Sequence, residues 1–173
     1  MAGSLIKIDE EIVTSAVASV TLTGIDSTYD VYMVRYNNVT ITTNGDRIDF
    51  RVTVSGTPDT SANYDNAYKG LRSDTTFING AGTNSSYYSM ATQQVASGKS
   101  LNGNMYLFNF NNSSEYSFLT NENAMFWSGS NNLLGIQGGA VHTVAQSCDG
   151  VHFFSSGSSN LESGTFTLYG LKK

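Results

Sequence analysis

The side chains best suited to chemistry are two histidines and one cysteine near the C-terminus. His142, Cys148 and His152 are the only residues of their types in the 173-residue chain. Asp149-Gly150 is a typical two-residue hairpin turn, and we expect it to join the strands that carry the histidines. The two imidazoles would then project from opposite sides of the ribbon. No further ligands stand at a zinc-site spacing, so we expect no metal site.

Nucleophilic catalysis by Cys148 would need a base within hydrogen-bond reach and a lowered thiol pKa. The side chains expected beside it, Val144, Val151 and Phe153, are apolar, so we interpret the cysteine as a small buried hydrophobic residue. The sequence contains no GxSxG, P-loop, HExxH or GxGxxG motif. We therefore expect no catalytic residues, no enzyme activity and no cofactor. Two distant carboxylates can suffice for a glycosidase, which leaves a β-sandwich hydrolase as an open alternative.

Aromatic residues are the remaining candidates for a functional surface. Phe126 and Trp127 are adjacent and precede a polar loop, so in a strand they cannot both face one core. Either the backbone bends there, or one ring meets a partner. Together with Tyr87 and Tyr88 they are the candidate contacts for a protein neighbour or a glycan, because Trp and Tyr are favoured at interfaces.

The elements that would position these residues are strands. Ile48–Ser55 alternates apolar and polar side chains, which is the period of a half-buried strand. Asn44-Gly45 predicts a hairpin turn between this strand and the β-branched run Val39–Thr43. Only Asn63–Arg72 has apolar residues at the three- and four-residue spacing of a helix. A strand is nearly as good an interpretation of this segment. The other predicted strands are Val17–Thr23, Tyr29–Tyr36, Tyr87–Val95, Met105–Phe110, Tyr116–Leu119, Ala140–Gln146, Val151–Ser155 and Thr165–Leu171.

Polar clusters separate these strands and predict turns. They are Gly80–Asn84, Asn111–Ser114, Ser128–Asn132 and Ser156–Asn160. Many short strands separated by such polar turns are typical of a sandwich or barrel. We therefore predict an all-β fold, an antiparallel, jelly-roll-like β-sandwich with at most one short helix.

The chain has no internal boundary that would divide it into several domains. We expect residues 13–173 to form a single β-sandwich domain and residues 1–12 to form an N-terminal arm or an edge strand. In the arm alternative, Leu5, Ile6 and Ile8 would reach a neighbouring subunit.

Composition narrows the range of partners. The net charge is −5, and only 13% of the residues are charged, with no cluster of Lys or Arg. Phosphate binding needs concentrated positive charge, so we expect no nucleic acid partner. No apolar run approaches the ~20 residues of a membrane helix, so we expect no membrane partner. The N-terminus lacks the pattern of a signal peptide, and we expect synthesis in a host cytoplasm.

Four segments carry a resemblance to known proteins. They are Val20–Tyr32, Asn102–Asn109, Asp149–Gly157 and Ser163–Lys173, of which the first and last are the most specific. Together they resemble a group of small virion structural proteins of tailed bacteriophages, especially marine ones. Residues 73–100 lie outside this resemblance. It implies a jelly-roll-like particle component without catalytic residues, placed on the capsid or in the tail.

The expected function is therefore that of a capsid decoration or cement protein in the virion. Its partners would be the major capsid protein or other virion proteins, and we expect a homo-oligomer, with a trimer as the specific prediction. One alternative is a tail fibre, knob or adaptor protein. A second is a carbohydrate-binding sandwich that recognises host glycans through Trp127 and neighbouring tyrosines.

Overall fold

The computed structural model describes residues 4–90 and 93–171, which form strands and no helix. No helix in these ranges is long and apolar enough to span a membrane. The strands are β1 (Leu5–Val13), β2 (Ser19–Thr23), β3 (Val31–Ile41), β4 (Ile48–Val54), β5 (Thr57–Pro58), β6 (Tyr64–Arg72), β7 (Phe77–Ser85), β8 (Tyr88–Ser89), β9 (Leu101–Phe108), β10 (Ser117–Trp127), β11 (Asn132–His142), β12 (Gly150–Ser155) and β13 (Leu161–Leu171).

The strands form two antiparallel sheets. The larger sheet has eight strands in the order β1-β13-β3-β9-β10-β11-β6-β7, and the smaller has the order β2-β12-β4-β5, with β8 also paired to β4. One apolar cluster lies between them, in which Phe153 of the smaller sheet meets Phe166 of the larger at 5.0 Å between ring centroids. The predicted all-β sandwich is thus confirmed.

Eight of the strands follow the order of a jelly roll. β1 pairs with β13, β2 with β12, β3 with β9 and β4 with β8, so the chain folds back on itself as one long hairpin. This hairpin is rolled up, because β13 also pairs with β3 and β12 also pairs with β4. Such nested pairing is the double Greek key of jelly rolls. We call these eight strands the framework.

Two insertions extend the larger sheet. Residues 57–85, between β4 and β8, contain β6 and β7, and residues 117–142, between β9 and β12, contain β10 and β11. β11 pairs with β6, so the four strands continue the sheet beyond β9. We call β10, β11, β6 and β7 the extension.

A buried polar network attaches the extension to the framework. The hydroxyl of Tyr36 in β3 donates to the side-chain oxygen of Asn121 in β10. Asn121 Nδ2 donates to the carbonyl of Met90 at 3.0 Å, and Asn123 Nδ2 donates to the same carbonyl at 2.7 Å. Asn121 is only 1% exposed. A slip of β10 by one residue would leave these buried groups unpaired, so the network fixes the register of the extension.

The helical alternative for Asn63–Arg72 is wrong. Residues 64–72 form β6, which pairs with β11 on one side and β7 on the other. These two neighbours satisfy the backbone hydrogen bonds of the segment, and this tertiary pairing outweighs the helix-like spacing of its apolar residues.

Both predicted hairpins are also wrong. Asn44-Gly45 leads from β3 in the larger sheet to β4 in the smaller one. Asp149-Gly150 leads into β12, which begins at Gly150 and lies in a different sheet from β11. A tight turn reverses the chain, but it does not decide whether the next strand pairs with the last one or crosses to the facing sheet.

Two further predictions concern the extension and β8. The predicted turn Gly80–Asn84 is wrong, because these residues belong to β7. Of the predicted strand Tyr87–Val95, only Tyr88–Ser89 is a named strand, and residues 91 and 92 lie outside the described ranges. The other three polar clusters connect consecutive strands, as predicted.

Candidate interaction surface

The exposed large apolar side chains are concentrated on one side of the molecule. Among the described residues there are ten, and nine lie on or directly beside the outer face of the larger sheet, the face turned away from the core. None lies on the outer face of the smaller sheet. Concentrated apolar exposure marks interaction sites in soluble proteins. The nine are Leu5, Ile12, Leu71, Phe77, Tyr106, Tyr116, Phe118, Phe126 and Leu133.

Four of these residues form one apolar patch at an end of the extension. Phe126 of β10 stands opposite Leu133 of β11, and Leu71 of β6 stands opposite Phe77 of β7. Gly135 stands opposite Leu71, so no side chain separates the two pairs. Their exposed fractions run from 40% for Phe126 to 64% for Phe77. We call these four residues the apolar patch.

The apolar patch has a basic rim. Lys99 Nζ lies 6.0 Å from the ring centroid of Phe126, and Lys69 Nζ lies 5.2 Å from that of Phe77. The whole chain carries a net charge of −5, so this basic rim contrasts with the rest of the molecule. The combination suits a partner that offers an apolar surface bordered by acidic side chains.

A groove crosses the extension beside the apolar patch. Its floor is a row of small residues, Thr120, Gly139, Ala67 and Ala81, which stand opposite one another on the outer faces of β10, β11, β6 and β7. Tyr106 of β9 stands next in the same row, opposite Thr120, and closes one end. We call this feature the transverse groove.

The walls of the transverse groove differ in character. One wall is apolar at Phe118 and Val141 and continues to Asp65 in β6. The other wall is polar, with Asn104, Glu122 and Gln137. Gln137 Nε2 donates to Glu122 Oε1 at 2.8 Å across the strand pair. Two adjoining cavities of about 420 and 270 Å³ lie along the groove. It is therefore a shallow, open groove with amphipathic walls on the outer face of the sheet.

The four aromatic residues singled out from the sequence do not form one surface. Phe126 belongs to the apolar patch. Trp127, the next residue in β10, points to the inner side of the sheet and packs against the core. The guanidinium of Arg72 lies over its ring, 4.6 Å from the centroid. Tyr87 lies on the outer face of the smaller sheet, where it contacts Phe154. Tyr88 is fully buried, so its nomination as a surface contact is wrong.

The predicted arm residues lie in β1, an edge strand of the larger sheet. β1 pairs with β13 along its length, with a bulge between Lys7 and Asp9. Leu5 and Ile6 are exposed, whereas Ile8 packs against the core. The other edge of β1 has no partner strand among the described residues.

The outer face of the smaller sheet is closed by its own side chains. The guanidinium of Arg51 lies 4.3 Å from the ring centroid of Phe154, and the rings of His152 and Tyr87 contact the same phenylalanine. Burial and the nearby charge of Arg51 lower the pKa of His152. Asp49, in β4 on the same face, is fully buried. Little apolar surface is left on this face for a partner.

A buried cluster contains the chemistry-bearing residues near the C-terminus. His142 Nε2 lies 2.9 Å from Asp59 Oδ2, and Ser117, opposite His142, has its hydroxyl 3.7 Å from the sulfur of Cys148. His142, Ser117 and Cys148 are at most 3% exposed. Burial raises the pKa of Cys148 to about 11, so the thiol is protonated at neutral pH. The cluster has the residue types of a nucleophile–histidine–acid site, but three of its four side chains are almost completely buried.

Hydrogen bonding within this cluster acts on Asp59. Burial alone would raise the pKa of Asp59, but hydrogen bonds from Ser61 and His142 outweigh it and hold the pKa below its usual value. No local pattern indicates the Asp59–His142 contact, because 83 positions separate the two residues. Within residues 4–90 and 93–171, no group of three or more His, Cys, Asp and Glu side chains could hold a metal ion.

Comparison with known proteins identifies no relative. No family model, no curated protein and no solved structure matches the chain. The fold and its surfaces therefore have to carry the functional interpretation.

Sequence reasoning missed three of the four residues in the apolar patch, namely Leu71, Leu133 and Phe77. A usable signal exists in residues 117–126, where every second side chain is exposed. Extending that alternation would have placed Phe126 on an outer face. The neighbours of Phe126 depend on the β11–β6 pairing, which joins the two insertions and has no local sequence signal.

Proposed function

We propose that this protein is a structural component of a bacteriophage particle, a decoration or cement protein that docks on the capsid surface through the apolar patch. The observation that carries the proposal is the cluster of Phe126, Leu133, Leu71 and Phe77, exposed side by side on a rigid sheet. Removing such side chains from water contributes about 25 cal/mol per Å² of apolar area, which favours association with a neighbouring protein.

Two further observations support this function. The jelly-roll framework is an architecture that viral capsid and lectin domains use. The segments that resemble virion structural proteins lie in framework regions, around β2, β9, β12 and β13. The extension would then be the part that adapts a common framework to one particular neighbour.

A place in the tail is the second candidate, because the same surface would serve a fibre, knob or adaptor protein. Copy number separates the two. A capsid protein is present on the order of hundreds of copies per particle, and a tail component in far fewer. Quantitative mass spectrometry of purified particles measures this ratio. The homotrimer that we expect also remains a proposal, and native mass spectrometry of the purified chain tests it.

Cosedimentation of the purified chain with particles that lack it tests the docking surface. The double variant Leu71→Asp, Phe77→Asp should lose binding, because two buried charges would face the partner. Ile12→Asp is the matched control, since Ile12 is 62% exposed on the same face of the sheet but in β1. Equal binding of the double variant and the wild type would refute the proposed docking surface.

A further inference from the structure

We infer that the transverse groove binds a neutral oligosaccharide. This inference goes beyond the proposed function, because the groove and the apolar patch use different side chains. It also differs from the glycan hypothesis drawn from the sequence, which relied on Trp127. That indole packs against the core on the opposite side of β10, so it cannot contribute to this groove.

Tyr106 supplies the aromatic contact. Its side chain is 40% exposed at the closed end of the groove. β9 holds it between two neighbouring strands, opposite Met33 on one side and Thr120 on the other. A tyrosine ring offers a large, rigid and amphipathic surface at a low cost in conformational entropy. Such a ring fits the apolar C–H face of a sugar, which carries hydroxyl groups around its rim.

The polar wall supplies hydrogen bonds that suit adjacent hydroxyl groups. Glu122 and Gln137 are joined to each other at 2.8 Å, and this contact holds both planar groups in one orientation. The carboxylate keeps further acceptor sites and the amide keeps a second N–H donor, so the pair can accept from one hydroxyl and donate to the next. Asn104 adds a second amide to the same wall.

The charge of the lining favours a neutral ligand. The residues that line the two cavities include Asp65 and Glu122 and no lysine or arginine. Lys69 stands opposite Gln137 on the same face, but its ammonium group lies over the ring of Phe77. Acidic sugars and phosphate groups would therefore meet the two carboxylates of the lining first, which is unfavourable. Neutral hydroxyl groups meet no such penalty.

The shape of the groove sets the size of the ligand. The floor contains only Thr120, Gly139 and two alanines, so a ligand can approach the sheet closely. Four neighbouring strands spaced at about 4.8 Å make this floor about 15 Å long. A channel of that length, open along its outer side, fits several linked sugar rings better than one monosaccharide.

An array of defined neutral and acidic oligosaccharides, followed by titration calorimetry with the best ligand, tests the inference. We expect a neutral oligosaccharide to bind, and Tyr106→Ala to weaken it about tenfold, as loss of an aromatic contact does. Ala67→Phe should abolish binding by filling the floor. The matched control is Tyr116→Ala, because Tyr116 is 46% exposed but does not line the groove.

Three results would overturn the inference. They are an array without a neutral ligand, a preference for acidic glycans, and binding that Tyr106→Ala and Ala67→Phe leave unchanged. The Leu71→Asp, Phe77→Asp double variant should still bind the sugar, and Tyr106→Ala should still bind particles. Failure of the glycan inference is therefore distinguishable from failure of the proposed function.

Discussion

The framework and the extension bury their strands in different ways. In β4 of the framework, Ile48, Phe50 and Val52 face the core, yet Asp49 and Thr53 on the outer side are also completely covered. In β10 of the extension, buried and exposed residues alternate from Ser117 to Phe126. A strand covered on both faces contributes to stability, whereas a strand with one free face can also meet a partner. The difference assigns folding mainly to the framework and recognition mainly to the extension.

The largest effect on stability should come from the core of the framework. Phe153 is fully buried against Phe50 and Phe166, with ring centroids 5.7 and 5.0 Å away. Phe153→Ala should lower the free energy of unfolding by about 3–5 kcal/mol, because it leaves a large cavity. Chemical denaturation measures the change. A loss below about 1 kcal/mol would mean that this core does not hold the sandwich together.

The second-largest effect on the free energy of unfolding should depend on pH and should come from Asp49 in β4 of the framework. Burial of the Asp49 carboxylate outweighs the hydrogen bond from Ser89 and the nearby charges of Arg47 and Arg51, and it raises the pKa of Asp49 from 3.8 to about 6. The folded state therefore binds this proton more tightly than the unfolded state. The stability that the proton contributes is complete below about pH 4 and is lost as the pH rises through about 6.

Asp49→Asn sharpens this prediction, since the amide resembles the protonated acid. The variant should match the wild type near pH 4 and exceed its free energy of unfolding by about 2–3 kcal/mol at pH 8. Denaturation curves over that pH range measure the difference. Glu11→Gln, in an exposed position of β1, is the matched control for replacing a carboxylate by an amide. A pH-independent difference for Asp49→Asn would contradict the assignment.

The attachment of the extension should respond to loss of the polar network. Asn121→Ala leaves the hydroxyl of Tyr36 without its acceptor and removes one donor from the carbonyl of Met90. We expect a loss of about 1–3 kcal/mol. Hydrogen exchange should show faster amide exchange in β10 and β11 than in β12 and β13. Uniform acceleration across both sheets would show that framework and extension unfold as one unit.

The smallest effect on stability should come from the apolar patch. Phe77 is 64% exposed, so Phe77→Ala should change the free energy of unfolding by no more than about 0.5 kcal/mol. The same substitution should weaken binding to particles. This contrast with Phe153→Ala separates a contact residue from a core residue. A large loss of stability would place Phe77 in the core of the extension instead.

Periodicity in the sequence predicts single strands well and their neighbours poorly. The alternation in Ile48–Ser55 correctly predicts β4, because one face of that strand packs on the core. β7 was missed, since Gly80 and Gly82 resemble a turn when the pairing with β6 is not known. Gly80 fits there because β6 places the ring of Tyr68 beside it, and a Cβ at this position would clash with that ring.

The candidate surface depends on contacts between distant strands, which local sequence patterns do not reveal. Phe126 and Phe77 are three strands apart, and they share one face of one sheet only because β11 of one insertion pairs with β6 of the other. His142 and Asp59 meet inside the sandwich for the same kind of reason. Register between distant strands follows from the packing of the whole sheet, and no local pattern encodes it. The amino-acid composition did predict the fold class correctly, because the fold class depends on how often strands and turns occur in the chain.

A cryo-EM reconstruction of the intact particle tests the division between framework and extension most directly. It should show Phe126, Leu133, Leu71 and Phe77 covered by a neighbouring protein, with the outer face of the smaller sheet turned away from that contact. A particle in which these four side chains face solvent while the smaller sheet meets the neighbour would contradict the account.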